Sequence, residues 1–209
     1  MNLYGLNKKH LSYSAIDLWN KNPQGYRDRY YLEEPKKLET PYTLYGREVH
    51  VLIDKDPKYA SIRLPVAEKE MRVEIDGISV LAYIDTYCPD THAFGEYKSG
   101  KRKKDGSPCW NKVDVQRHEQ LPFYSLLIQE KFGKKINSTY LVWLETKFYE
   151  HKRTVGTVVL ANDSGLRLTG HMEVFKRKMY QYDRDRVRDW IITSAAEIIK
   201  DYKQWTKNS

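Results

Sequence analysis

Apolar and polar positions along this chain recur at two spacings, and the switches between those spacings mark its elements. Ser12 or Ser14 can cap a first helix through Ala15-Ile16-Asp17-Leu18-Trp19, with Asp17 as an imperfect capping-box partner of Ser14, and Asn22-Pro23 ends it. Tyr26 to Leu32 reads as a short helical turn rich in aromatics and arginines. Pro35 and Pro41 then lead to a second helix at about Thr43 to Ile53. There Tyr45, Val49, Leu52 and Ile53 form one apolar stripe, with His50 just beside it.

From Ala67 to Tyr87 the spacing drops to two. Met71, Val73 and Ile75 alternate with charges, Asp76-Gly77 supplies a tight turn, and Ile78 to Ile84 forms the returning arm of a β-hairpin. Pro89-Asp90 breaks the strand, and Ala93 to Lys98 is short enough for a third. A polar, basic loop spans Ser99 to Asn111. Val115 to Phe132 reads as a helix with Leu121, Tyr124, Leu127 and Ile128 inward, where Pro122 fits only in a first turn or at a kink.

Thr139 to Leu144 is an apolar, β-rich central strand. Thr154 to Leu160 and Leu166 to Phe175 suggest two more strands, joined around Asn162-Asp163-Ser164-Gly165. A final helix from about Asp183 to Trp205 turns Val187, Ile191, Ala195, Ile198, Tyr202 and Trp205 to one side. The order of strands and helices predicts an α/β fold. With 209 residues, no repeat and no Gly/Ser linker, one domain spanning 1–209 is expected. Its parts would be an N-terminal helical region at about 11–53, a core at about 67–147, and C-terminal strands and helix at about 154–206.

Composition narrows the class. A 40% hydrophobic and 31% charged chain can bury a core, and no apolar run reaches the length of a membrane span. The opening MNLYGLNKKH has no secretory apolar stretch, so a cytoplasmic setting, bacterial or phage-like, and no membrane partner are expected. Cys88 and Cys109 are too few for a disulfide scaffold or a four-thiolate cluster. The net charge of +8 favours a polyanionic partner, with nucleic acid foremost.

The densest chemistry lies at Asp85 and, eleven positions on, Glu96-Tyr97-Lys98. Alternate residues of a strand share a face, so Glu96 and Lys98 point one way and Tyr97 the other. If the preceding strand is the antiparallel neighbour, Asp85 joins them. Two carboxylates suit a hard divalent cation such as Mg2+, the backbone carbonyl of Tyr97 could add an oxygen ligand, and Lys98 could orient an attacking water or stabilise developing phosphate charge. On these residues alone, an Asp, Glu and Lys on adjacent strands could equally be a solvated ion pair.

The ordered set of features resembles the PD-(D/E)XK nuclease superfamily in its RecB-like branch, which contains AddB-type and CRISPR-associated exonucleases. The features are Leu11-Ser12-Tyr13-Ser14; Tyr26-Arg27-Asp28-Arg29-Tyr30-Tyr31-Leu32; Gly46-Arg47-Glu48-Val49-His50; Asp85; Glu96-Tyr97-Lys98; and Gln120-Leu121-Pro122-Phe123-Tyr124. Together they span roughly residues 11 to 147, about two thirds of the chain. The resemblance implies a restriction-endonuclease-like core, a central mixed sheet flanked by helices, and His50 as a nitrogen ligand suited to Mn2+ as well as Mg2+. It also implies Gln120 and Tyr124 as catalytic helpers.

Relatives with an iron-sulfur cluster place a cysteine before proline after the first helix and three more near the C-terminus. Here Asn22 precedes Pro23 and the C-terminal stretch has no cysteine, so no cluster is expected. Gln116, Gln120 and Tyr124 recur at a helical spacing of four and are expected on one face. Gln116, Ser12, Ser14 and the run Lys101-Arg102-Lys103-Lys104 are candidate nucleic-acid contacts, and Tyr26, Tyr30, Tyr31 and Trp110 could stack on bases or pack in the core.

The reading is a DNA nuclease, an exonuclease on single-stranded or end-bearing DNA. Its alternatives are a structure- or sequence-selective endonuclease, or a non-cleaving nucleic-acid-binding subunit in repair or recombination. A helicase or recombination partner is a further expectation.

Overall fold

A two-residue turn sets the first hairpin. In the computed structural model, which describes residues 3–6, 8–32, 49–148 and 166–208, Asp76 and Gly77 have φ of 49° and 80°. Paired left-handed residues match the twist of the strands they join. Strand β1 (Val66–Ile75) therefore runs back antiparallel as β2 (Ile78–Tyr87), in register from Ile75↔Ile78 to Val66↔Tyr87. Strands β3 (Phe94–Gly100), β4 (Ser138–Phe148) and β5 (Leu166–Lys178) complete a five-stranded sheet in the order β1-β2-β3-β4-β5. All neighbours are antiparallel except β3 and β4, so the sheet is mixed.

The parallel pair needs a crossover, and helices supply it. Helix α1 (Tyr13–Lys21) is capped by Ser12, whose side chain accepts from the Ala15 N–H; Ser14 lies inside the helix, so the expected box with Asp17 does not form. Asn22 then caps α2 (Pro23–Tyr30), with Pro23 in its first turn. The helical residues 49–55 (α3) are the described part of the second helix, followed by a 3₁₀ turn at Pro57–Ile62. Between β3 and β4 come α4 (Lys112–Gln116) and α5 (Gln120–Phe132), and α6 (Gln181–Asn208) closes the chain. The architecture is α/β, a mixed sheet flanked by helices with a long C-terminal helix.

The sheet is covered on both faces. The larger core joins Ile16 of α1, Met71, Val80 and Trp143 of the sheet, Leu126 and Leu127 of α5, and Ile191 of α6. The smaller one joins Val49 and Ile53 of α3 with Ile62, Tyr97, Val142 and Leu144. Leu52 departs from the expected stripe: it is exposed, and of the stripe's described members Val49 and Ile53, four apart, are buried. Trp205 at the end of α6 is also 37% exposed, although its ring lies beside that of Tyr31. Tyr26 and Tyr31 are buried and donate to the carbonyls of Tyr4 and Ile198, so these tyrosines are core members rather than base-stacking surfaces. The expected strand at 154–160 and the Asn162 to Gly165 turn fall outside the described residues, as do Tyr45 and Gly46.

The largest correction concerns the helix expected over Val115 to Phe132. It is two helices, separated at Arg117 to Glu119. Asn111 and Asp114 form a capping box that starts α4, while Pro122 has no N–H to give and sits in the first turn of α5, where none is required. Gln116, at the exposed end of α4, therefore does not share a face with Gln120 and Tyr124.

Arg177 of β5 holds the break. Its buried guanidinium donates to the carbonyls of Val115 at 3.2 Å and His118 at 2.6 Å, and to Asp183 at 3.2 Å. Breaking a buried pair strands its partners, which typically costs about 3–5 kcal/mol. Arg177→Met is expected to lower unfolding free energy by about that amount in urea titrations, and an unchanged midpoint would dismiss this role.

Candidate active site

The strands β2 and β3 pair only at Tyr87↔Phe94 and Thr86↔Gly95, then part. The next residues, Asp85 and Glu96, face each other across the opening. An N–H left without a ladder partner must be satisfied otherwise, and the Tyr97 N–H donates to Asp85 Oδ2 at 2.7 Å. In an extended strand the N–H and C=O of one residue leave on the same side, so the Tyr97 carbonyl also faces the β2 side. The Tyr97 ring points the other way, into the smaller core, where its hydroxyl donates to the Ile62 carbonyl.

Glu96 is 2% exposed. Its Oε1 accepts from Lys98 Nζ at 2.5 Å, while its Oε2 is buried with no hydrogen-bond partner. Burial, and then the charge of Asp85, push the Glu96 carboxyl up to about 8, against the pull of Lys98. Burial also raises Asp85 to about 6, opposed by the Tyr97 N–H and by Lys98. Two carboxylates this close and this dry do not both ionise readily near neutral pH. Each proton retained there is a place where a cation would be favoured.

Lys98 is held on its far side by Gln120. Its ammonium donates to Gln120 Oε1 at 2.9 Å; Gln120 Nε2 in turn donates to Tyr124 Oη at 2.6 Å, and that hydroxyl donates to the Tyr83 carbonyl at 2.9 Å. The amide is thereby oriented with its oxygen toward the lysine. Tyr124 is buried, and burial raises its hydroxyl well above the ordinary range, so it serves as a neutral donor.

His50, on α3, closes the other side. Its Nδ1 stands 3.8 Å from Asp85 Oδ1 and 3.8 Å from Glu68 Oε1. Its ring meets the Tyr97 ring edge-on. Among the described residues no group of three or more His, Cys, Asp or Glu is placed to hold a metal ion. Of the expected set, His50 stands near Asp85, the Tyr97 N–H binds Asp85, and Glu96 faces Asp85 across the parted strands.

No family model matches the chain, and no curated protein does. Two solved structures resemble it in shape. One is described as "Putative exonuclease" from Eubacterium rectale, with 11% identity and a TM-score of 0.42, covering 90% of this chain and 61% of that one. The other is a phage-related exonuclease from Haemophilus somnus 129PT, with 12% identity and a TM-score of 0.47, covering 94% of this chain and 83% of that one. The chain thus spans about three fifths of the first structure. Both TM-scores are below 0.5, so function is argued from the site's own geometry.

Other expected contacts sort differently. Arg102 is committed within the chain: it donates to Glu145 at 2.7 Å and to the Gly106 carbonyl at 3.1 Å, and lies over the Trp143 ring. It braces the basic loop, and Lys101, Lys103 and Lys104 remain on the exposed surface. Lys101 and Arg102 line a hollow with Glu145, Thr146 and Lys147. Ser12 and Ser14 bond to each other at the start of α1.

Two residues at the site escaped sequence reasoning. Glu68 carries no motif; only its place across the hairpin from Asp85 could have flagged it. His118 packs against Tyr13 and Trp110, and burial followed by the charge of Lys98 pushes its imidazole down to about 3, so it stays neutral.

The raised carboxyls link stability to pH. Between about pH 4, where these groups ionise in an unfolded chain, and about 8, the folded state holds protons that the unfolded state has released. Metal-free protein should therefore lose stability as pH rises through that window. Glu96→Gln should flatten the trend and be the more stable protein at pH 8, by on the order of 1–3 kcal/mol. Thermal unfolding in a chelator from pH 5 to 8 reads this directly, and equal slopes would contradict it.

Proposed function

We propose that the chain is a divalent-metal-dependent nuclease that hydrolyses DNA phosphodiester bonds, acting as an exonuclease on single-stranded or end-bearing DNA, in the manner of the RecB-like PD-(D/E)XK enzymes. The observation that carries the reading is Glu96 Oε2, a buried carboxylate oxygen without a donor, at an opening also lined by Asp85, His50 and Lys98. A buried anion without a donor is costly, and a hard cation offsets that cost.

The donor types, carboxylate and carbonyl oxygens with one imidazole, are those that Mg2+ or Mn2+ takes. Neighbouring donor atoms about 2.1–2.2 Å from one octahedral ion stand roughly 3.0 Å apart. His50 Nδ1 and Asp85 Oδ1 stand 3.8 Å apart, so they would draw together by roughly 0.8 Å to share such an ion. Asp85, Glu96, His50 and the Tyr97 carbonyl would hold the ion. When bound it would supply a Lewis acid that favours ionised water and offsets phosphate charge.

Lys98 does the rest. Two of its three ammonium protons go to Glu96 and Gln120, and the third can donate to an attacking water or to a phosphate oxygen as negative charge develops there. Gln120 and Tyr124 are positioning residues, because their hydrogen bonds fix the Lys98 ammonium. Lys101, Lys103, Lys104 and Lys147 offer phosphate contacts beside the opening, with affinity that falls as salt rises.

The test uses end-labelled linear single-stranded and duplex DNA, and closed circles, with Mg2+ or Mn2+. Mononucleotides or short products from linear ends, with circles intact, are expected. Cut circles would make the enzyme an endonuclease. No cleavage of any DNA or RNA, together with no metal binding, would end the nuclease reading. Lys98→Ala should fold and bind DNA while cutting about 10²- to 10⁴-fold more slowly.

A further inference from the structure

The N-terminal segment brings a lysine to an aromatic ring that already carries an arginine. The Leu6 N–H donates to the Tyr30 carbonyl at 2.9 Å and the Lys8 N–H to the Gly5 carbonyl at 3.3 Å, so the segment turns over the end of α2. Gly5 permits this approach: its φ is 148°, and a Cβ there would stand 2.5 Å from the Tyr30 carbonyl oxygen. Lys8 Nζ then lies 4.6 Å from the centre of the Tyr30 ring, and the Arg29 guanidinium carbon lies 5.5 Å from the same centre. Lys8 and Tyr30 are half-buried, and Arg29 is exposed.

Two cations thus share one ring. Among the described residues neither forms an ion pair, whereas Arg27 of the same helix is held by Asp201 at 2.7 Å. Burial, and then the like charge of Arg29, lower the Lys8 ammonium to about 8. A ring face offsets only part of the cost of taking an ammonium out of water. An anion would offset the rest.

Further positive charge converges here. His10 Nε2 stands 3.0 Å from Arg72 Nη1, and a guanidinium can only donate, so the imidazole is neutral and its Nδ1–H donates to Ser79 Oγ at 2.6 Å. Burial, then the charges of Arg72, Lys8 and Lys9, hold His10 below its ordinary range, opposed by Glu70. Glu70 is itself engaged by Arg72 and the Tyr83 hydroxyl. The N-terminal segment, α2 and β1 therefore meet with an excess of cations.

From this juxtaposition we propose that Lys8 and Arg29, gathered around the Tyr30 ring, form a phosphate-binding site that seats the backbone of a DNA strand, in addition to the basic loop after β3. The guanidinium offers a planar fork to two phosphate oxygens, and the ammonium offers a point charge. The inference rests on DNA as the partner in the reading above, and not on cleavage. It divides the labour of the aromatic and basic segment of α2: Tyr26 and Tyr31 are buried, while Arg29 and Tyr30 face the anion.

The experiment measures anisotropy of a labelled single-stranded DNA in EDTA across a KCl series. The proteins are the full-length wild type, Lys8→Met, Arg29→Gln and, as a charge control, Lys203→Gln, an exposed lysine of α6. Lys8→Met keeps an apolar stem beside Tyr30, and thermal unfolding checks that each variant folds. Each of the first two variants should weaken binding roughly threefold or more and reduce the slope of log K against log salt by about 0.7, while Lys203→Gln binds as wild type. A second readout needs no variant. At about pH 8, where the Lys8 amine is half deprotonated, acetylation by an N-hydroxysuccinimide ester, mapped by peptide mass spectrometry, should mark Lys8 and be suppressed severalfold by saturating DNA. Unchanged affinity and slope in both variants, or equal Lys8 labelling with and without bound DNA, would overturn the inference and leave the nuclease reading standing. Suppression by inorganic phosphate but not by DNA would overturn it too. So would absence of DNA binding by the wild type, whereas the nuclease reading stands or falls on cleavage with Mg2+ or Mn2+.

Discussion

The structure turns on one costly placement: the Glu96 carboxylate, 2% exposed, beside a second carboxylate. A charge in that setting needs compensation on every side. Lys98 neutralises one oxygen, and Asp85 is steadied by a backbone N–H. That N–H is free only because β2 and β3 separate after Thr86↔Gly95. A continued ladder would have occupied the Tyr97 amide and closed the space between the carboxylates. Divergence of two strands is thus the structural cause, and the acidic opening is its consequence.

The start of α5 also holds the Lys98 ammonium. Gln120 can meet Lys98 because α5 begins there, and α5 begins there because Pro122 is tolerated only in a first turn. Arg177 then fixes the short link between α4 and α5 by binding two of its carbonyls. Tyr124 spans the remaining gap, tying the amide of Gln120 to the Tyr83 carbonyl on β2. Core packing of α5 against α6 and β1 keeps this chain in place, so stability and site geometry depend on the same contacts.

Local chemistry made much of this readable from sequence. Asp76-Gly77 specifies a turn with both φ values positive, and Glu96-x-Lys98 on a strand must present both side chains together. What sequence could not convey was the register of strands and the commitments of long side chains. Glu68 stands opposite Asp85, seventeen positions away across the hairpin, and no pattern in its neighbours records that. Gln116 fits the helical spacing of Gln120 and Tyr124, yet a proline and a second cap reset the helix between them. Arg102 looked like its lysine neighbours but has a carboxylate and an indole ring to satisfy it.

The Arg102 contacts bear on how a basic loop can serve a site without being anchored by its ligand. The ion pair with Glu145, whose side chain is 9% exposed, is sheltered enough to hold, whereas exposed pairs contribute little. Glu145 also accepts from Thr169 of β5, so the loop is tied to two strands at once. Ordering the loop in advance lowers the entropy lost when a polyanion arrives. Lys101, Lys103 and Lys104 then project from a braced loop that follows β3. If the chain binds nucleic acid as proposed, removing Arg102 would free the loop as well as delete a charge, so its loss should weaken that binding more than loss of any one neighbouring lysine. Its role lies in posture rather than in contact.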